Sequence, residues 1–404
     1  MPRKSAGPPA RLNYAAGCDS EGVTTDALLA EARDAAKQSD RAIVFVGLPD
    51  SYESEGFDRK GIDLPPDHNR LVEAVAAVQP NTIVVLMNGS AVTMPWAGRV
   101  KAILEAYLGG QAGGGAIADV LTGRVNPSGK LAETFPVRIE DTPTYPNFPG
   151  REGEALYGEG LFVGYRYYDA KKIAPLFPFG FGLSYTTFAY TAIKADATEI
   201  KAADGARIQV TAKNTGKRAG AEVIQLYVRQ LAAPVLRPDK ELKHFAKVTL
   251  APGEEKTVTF ALTARDFAWY DSRLHDWVVD SGAFEVLVGR SSRDLPLKQS
   301  LTVEGLVRGH AKLTRYSLFG DLAKHPRGRP VYEQFLRGAL NQAPESAKVG
   351  TTAEEAAAKK ARDTLIVFMN EMPLCKLVLT SQGQFSEEAL QGILQAVNEE
   401  APAR

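Results

Sequence analysis

A change of hydrophobic period part-way along the chain constrains the fold more than any other feature of this sequence. Between Thr25 and Leu121, segments of helical period alternate with short unbroken apolar runs. Asp26 to Lys37 sets Leu28, Leu29, Ala32, Ala35 and Ala36 at helical spacing, and Ala42 to Leu48 follows as a continuous apolar run between Asp40 and Pro49. Leu71, Val72, Val75, Ala76 and Val78 mark a second helix, with Asp67 as its expected N-cap. Thr82 to Met87 and Lys101 to Leu108 read as further strands, and Ala116 to Leu121 opens another helix. Strands with no polar alternation are buried on both faces, so this order predicts a mostly parallel sheet covered by helices.

From about Thr186 to Gly305 the period falls to two. Arg207 to Lys213, Glu222 to Val228, Lys256 to Leu262 and Ala283 to Val288 alternate, separated by turns at Asn214-Thr215-Gly216, Ala251-Pro252-Gly253 and Asp280-Ser281-Gly282. Such spacing predicts a β-sandwich. Asp276-Trp277 reads as a strand leading to a turn, with Trp277 in the sandwich core. Beyond Leu306, Ala353 to Ala361 and Ser386 to Val397 have helical patterns, and Gln342 to Thr352 reads as a flexible connector. The fold class is therefore multidomain α/β plus all-β: an α/β layered sheet domain over residues 1–185, a β-sandwich over 186–305 and a mostly helical extension over 306–404.

Composition removes several classes of function. Forty-eight basic side chains balance 48 acidic ones, which argues against a nucleic-acid partner. Cys18 and Cys375 lie near opposite ends and read as isolated thiols, and the five histidines never fall at metal-ligand spacing. No metal or cofactor is implied. Met1 to Ala10 lacks the apolar core of a signal peptide, and the apolar runs are far too short to span a membrane. The expectation is a cytoplasmic chain with no membrane partner. Gly109 to Gly115 sits between a strand and a helix, yet lacks the Gly-Lys-Ser/Thr ending of a phosphate-binding loop; it reads as a tight turn.

One loop concentrates chemistry. Tyr52 to Pro65 carries Glu53, Glu55, Asp58, Arg59, Lys60 and Asp63 directly after the first apolar strand. In open α/β sheets, loops at the carboxyl ends of strands converge on the functional crevice. A charged loop of this composition is also common as plain solvated surface, so the wording of the motif decides. Ser54-Glu55-Gly56-Phe57-Asp58-Arg59, followed by Leu64-Pro65, resembles the acid/base loop of family 3 glycoside hydrolases, the β-glucosidase and β-xylosidase group. The resemblance continues, in order, through Tyr107 to Gly114, Asn126-Pro127-Ser128-Gly129-Lys130-Leu131, Thr134-Phe135-Pro136, Tyr157-Gly158-Glu159-Gly160, Val163-Gly164-Tyr165-Arg166-Tyr167 and Phe177 to Tyr185. It begins near Asn13 to Asp19 and extends into a region resembling the family's fibronectin type III-like domain. Leu313 to Ser317 and Gly320 to Leu322 resemble a tail found in some bacterial members.

The resemblance implies that Glu55 is the general acid/base of a retaining glycosidase acting on terminal non-reducing β-D-glucosyl or xylosyl residues. A glycosidic oxygen is a poor leaving group, so a carboxylic acid must protonate it and then, as carboxylate, activate water. Gly56 would let the backbone approach a sugar. Asp58 and Arg59 are expected to form an ion pair that orients the loop, with Glu53 a weaker candidate acid and Glu159 and Arg166 as further loop partners.

The family's nucleophile is an Asp in Ser-Asp-Trp on a preceding (β/α)8 barrel, and no Ser-Asp-Trp occurs here. Retaining catalysis needs two carboxyl groups about 5 Å apart. The chain thus reads as the carboxyl-terminal portion of a β-glucosidase, completed by a barrel half in trans or within a homo-oligomer, with a β-glucoside or oligosaccharide as substrate. The alternative is a catalytically inactive module that binds carbohydrate or a partner protein.

Overall fold

The computed structural model describes residues 11–306, 310–341, 352–381, 383 and 385–399. It divides into two compact units. One runs to Phe267 and includes Asp280–Gly305; the other comprises Ala268–Val279 and the residues from Leu306 onward.

The first unit opens with α1 (Asp26–Lys37), β1 (Ala42–Gly47), α2 (Pro66–Ala76), β2 (Thr82–Met87), β3 (Ala102–Glu105) and α3 (Gly113–Leu121). The strands form a parallel sheet in the order β1-β2-β3, with Val44 beside Val84 and Val84 beside Ile103. Thr25 caps α1 by accepting from the Leu28 amide. At α2 the expected cap differs. Pro65 and Pro66 start the helix without a side-chain cap, and Asp67 accepts instead from the Thr24 amide at 2.9 Å. A proline in the first turn removes an amide that has no helical partner anyway, so the carboxylate is released for a tertiary contact. The glycine-rich stretch runs directly into α3, whose first three residues are Gly113, Gly114 and Gly115.

Leu29, Ala32, Leu71, Val72, Val75, Val44, Val46, Val84, Leu86 and Trp96 make one core between the two helices and the sheet. The opposite face of β1 is open: Ile43 and Phe45 are 45% and 52% exposed. The expectation of helices on both faces is therefore met on one side only among the described residues, because α1 and α2 both pack on the side of Val44 and Val46.

An extended segment then leads through α4 (Tyr165–Lys171) into the sandwich. Phe135 and Phe177 pair across it, and Leu131 exchanges backbone hydrogen bonds with Gly180 and Phe181. The sandwich strands are β4 (Phe188–Ala195), β5 (Glu199–Lys201), β6 (Ala206–Asn214), β7 (Gly220–Gln230), β8 (Glu241–Leu250) and β9 (Glu255–Leu262). The short α5 (Ala264–Phe267) follows. Two later strands, within Asp280–Gly305, complete this unit. Side chains joining sheet region and sandwich are specific. Asn126 accepts from Ser184 and the Tyr185 amide and donates to Ala219 O, Lys130 meets Glu222 at 3.0 Å, and Asp169 receives Lys240 at 2.6 Å and Arg293 at 2.8 Å.

The second unit begins with the hairpin β10 (Trp269–Asp271) and β11 (Asp276–Val278). The sandwich resumes with β12 (Gly282–Gly289) and β13 (Leu297–Glu304), giving sheets β5-β13-β12-β7-β8 and β4-β6-β9. Period-two burial puts Ile208, Val210, Ile224, Leu226, Phe284 and Val286 inside. The hairpin corrects one expectation: Trp277 is not core. Tyr270 and Trp277 pair across the ribbon on its outward face, 5.2 Å between ring centroids, whereas Asp271 and Val278 on the other face are buried.

The helical extension comprises α6 (Phe319–Lys324), α7 (Arg329–Asn341), α8 (Thr352–Asn370), α9 (Leu374–Thr380) and α10 (Glu387–Asn398) around Phe319, Leu322, Leu374, Leu390 and Leu394. Ser386 caps α10 through the Ala389 amide. Of the expected connector Gln342 to Thr352, residues 342–351 lie outside the described residues, and Thr352 begins α8.

Candidate active site

The charged loop leaves the carboxyl end of β1, and two further strand ends meet it. Its base is fixed by backbone: Tyr52 and Glu53 donate to Pro49 O, and Thr93 N–H donates to Ile62 O at 2.8 Å. The Thr93 hydroxyl also donates to Asp63. Between these ends the loop is held by two side chains. Glu53 accepts from the Gly89 amide at 2.7 Å. Arg59 donates to Ser90 Oγ at 2.5 Å, reaches Ala91 O at 3.5 Å, and lies 3.9 Å from Glu53. Gly89 is required for this approach, since a Cβ there would stand 2.7 Å from Glu53 Oε1.

Arg59 therefore pairs with Glu53 and not with Asp58, correcting the expected neighbour pair. Asp58 is exposed, while Arg59 turns inward toward the loop after β2. Adjacent residues in an extended loop point to opposite sides, so Arg59 cannot face the sheet and Asp58 together. Glu53, cast as a weaker acid, is an anchor, with only 24% of its side chain exposed. Glu55 lies between the anchors and is exposed, as are Tyr52 and Phe57; Ser54 and Phe57 are bridged. Gly56 has open space on its Cβ side. Neither expected outer partner pairs with this loop. Arg166 reaches Glu241 at 3.5 Å, and Glu159 Oε2 is buried without a hydrogen-bond partner among the described residues.

Behind the loop stands a group that sequence reasoning missed. Glu105 ends β3, accepts from the Tyr107 amide at 2.9 Å and lies 3.4 Å from Asn88 Nδ2. The Tyr107 hydroxyl points to Glu133 at 3.4 Å, and the backbone at Ala91 also hydrogen-bonds Glu133. Tyr107 adopts φ +47°, an uncommon conformation for an aromatic residue that persists only where surroundings over-determine it. Burial pushes the Glu105 carboxyl up to about 7, with the Glu133 charge adding to the effect. Burial likewise raises Glu133 despite the pull of Arg59, and it lowers Arg59 against the pull of Glu53 and Glu133. The available signal was the acidic residue closing an otherwise apolar strand, Ala102–Glu105.

Chemically the arrangement offers an exposed carboxyl, Glu55, on a braced loop at the carboxyl ends of three parallel strands. Such a group can donate and recover a proton. Residues 6–165 match the family described as the glycosyl hydrolase family 3 C-terminal domain. The chain carries that domain. Residues 222–292 of this family 3 chain match the fibronectin type III-like domain.

Similarity to curated proteins runs through nearly all of it. The thermostable β-glucosidase B of Acetivibrio thermocellus is 48% identical over 398 residues, covering 98% of this chain and 51% of that protein. The exo-α-(1→6)-L-arabinopyranosidase of Bifidobacterium breve is 43% identical, covering 87% and 44%. Among solved structures, the family 3 β-glucosidase of Bifidobacterium adolescentis superimposes with a TM-score of 0.73 at 46% identity, over 78% of this chain and 47% of that one. The Kluyveromyces marxianus β-glucosidase in complex with glucose gives 0.67 at 41% identity, over 70% and 34%. The family 3 chain thus spans about half the length of the curated relatives it matches.

Proposed function

We propose that this chain supplies the acid/base half of a retaining β-glucosidase, hydrolysing terminal non-reducing β-D-glucosyl residues with Glu55 as general acid/base. The observation that carries the reading is the exposed Glu55 on a loop braced on both sides of it, by Glu53 on Gly89 and by Arg59 on Ser90. In the first step Glu55, protonated, gives its proton to the glycosidic oxygen as the bond to the sugar breaks. In the second it removes a proton from the water that releases the sugar from the nucleophile. The nucleophilic Asp comes from a barrel half outside these 404 residues. The open face at Ile43 and Phe45 supports a covering partner, since an apolar surface of this kind is costly to leave in water.

Turnover of aryl β-glucoside by the purified chain, alone and mixed with a separately expressed nucleophile-bearing barrel half, tests the reading. Restored turnover that Glu55→Gln abolishes is the expected result; full activity in that variant would sink it. An aryl α-L-arabinopyranoside belongs in the substrate panel, because the Bifidobacterium breve relative is named for that sugar. Binding of oligosaccharide without turnover in any mixture would favour the inactive-module reading.

A further inference from the structure

Two histidines meet in the helical extension, away from every residue that the proposed function uses. His325 closes α6, its amide donating to Asp321 O and Leu322 O at 3.2 Å. His310 lies on the segment that leads to Leu313, whose backbone exchanges hydrogen bonds of 2.8 and 2.7 Å with the Asn398 side chain. The two ring centroids are 5.3 Å apart and the planes are inclined at 59°, so the rings do not stack. His310 is exposed, whereas His325 Nδ1 is buried and has no hydrogen-bond partner among the described residues. A buried ring nitrogen left unpaired beside a second imidazole is an unmet demand. We infer that His310 and His325 form a binding site for a divalent transition-metal ion of the zinc class, which ties the entry segment of the extension to the end of α6.

The spacing of the rings supports this. Neutral imidazole binds such an ion through nitrogen at about 2.0–2.1 Å, which puts the ion about 3.2 Å from the ring centroid. Two imidazoles on one tetrahedral ion then have centroids about 5.2 Å apart. The observed separation already meets that requirement. A direct imidazole to imidazole hydrogen bond would need a similar spacing, but none is formed and Nδ1 of His325 stays unpaired. No third His, Cys, Asp or Glu completes a cluster among the described residues, so water fills the remaining positions and the ion stays open to solvent on the His310 side. Arg327, whose charge acts on His325, is engaged by Glu399 O. Nitrogen ligands favour Zn2+, Ni2+ or Cu2+ over Mg2+ and Ca2+, which prefer oxygen. The distance between the two histidines in sequence hides the pair from any spacing motif.

Isothermal titration of Zn2+ into the chelator-treated 404-residue chain tests the site. One ion per chain is expected, with binding weakened about tenfold or more in His310→Gln and in His325→Gln. Co2+ in its place should give the visible absorption of a tetrahedral ion, lost in both variants. Mg2+ should not bind. His275→Gln removes an exposed histidine outside the pair, and Cys18→Ser removes the thiol 3.5 Å from His68 Nε2; both should bind Zn2+ as wild type does. Because His310 is exposed, its replacement leaves the packing of the extension intact, and circular dichroism of that variant should match wild type. Absence of Zn2+ binding by wild type overturns the inference. So does binding that is unweakened in either histidine variant of the pair, or that is lost in His275→Gln or Cys18→Ser.

Discussion

Replacing Glu105 by Gln is expected to flatten the pH dependence of the sheet region's stability between about pH 5 and about pH 8. In the native chain burial holds the Glu105 proton up to about 7, whereas the unfolded chain releases it in the ordinary carboxylate range. Through that window the native state binds more protons than the unfolded state, so its stability falls as pH rises and is level again above it. At about 1.4 kcal/mol per pH unit the displacement corresponds to about 3 kcal/mol, which partial solvent access reduces to about 2 kcal/mol. His68 acts in the opposite sense. Burial lowers its pKa, so the unfolded chain binds the extra proton and stability rises with pH through the ordinary histidine range. Because His68 is present in both proteins, the comparison with Glu105→Gln cancels it. Urea unfolding followed by Trp96 fluorescence is the assay, with Trp269 and Trp277, the other two tryptophans, changed to Phe. Trp96 is fully buried in the sheet core and donates to Asn69, so its emission reports that region. Parallel stability curves for wild type and Glu105→Gln would refute the reasoning.

Other substitutions have definite directions. Gly89→Ala should expel Glu53 from the Gly89 amide, costing about 1 kcal/mol locally and opening the loop to protease, seen as faster cleavage near Arg59 and Lys60. Gly22→Ala combines φ +79° with a Cβ 2.9 Å from His68 Nε2, and should lower the stability of the sheet region by about 2 kcal/mol in the same urea assay. Lys240→Met leaves the buried Asp169 with Arg293 alone, and a loss of about 3 kcal/mol is expected in thermal unfolding. Phe45→Ser on the open face of β1 should reduce self-association of the isolated chain on size-exclusion chromatography, where wild type is expected to elute as a larger species.

Much of the architecture was legible in the sequence because it is local. The unbroken apolar runs through Val44, Val46, Val84 and Leu86, set between helical segments, specify parallel strands, the period of two through Ile208, Val210, Ile224 and Leu226 specifies a sandwich, and Ser386 announces the start of α10. The Ser54–Arg59 wording likewise singled out the loop on which Glu55 stands. Partners were not legible. Arg59 passes over Asp58 for Glu53, Asp67 leaves its helix for Thr24, and Trp277 faces outward beside Tyr270. Each of those outcomes depends on which distant segment arrives at the same place, and on the burial that arrival creates. The same holds for Glu105: in the sequence it is one acidic residue after three apolar ones, and only the convergence of three strand ends removes the water that would keep it an ordinary carboxylate.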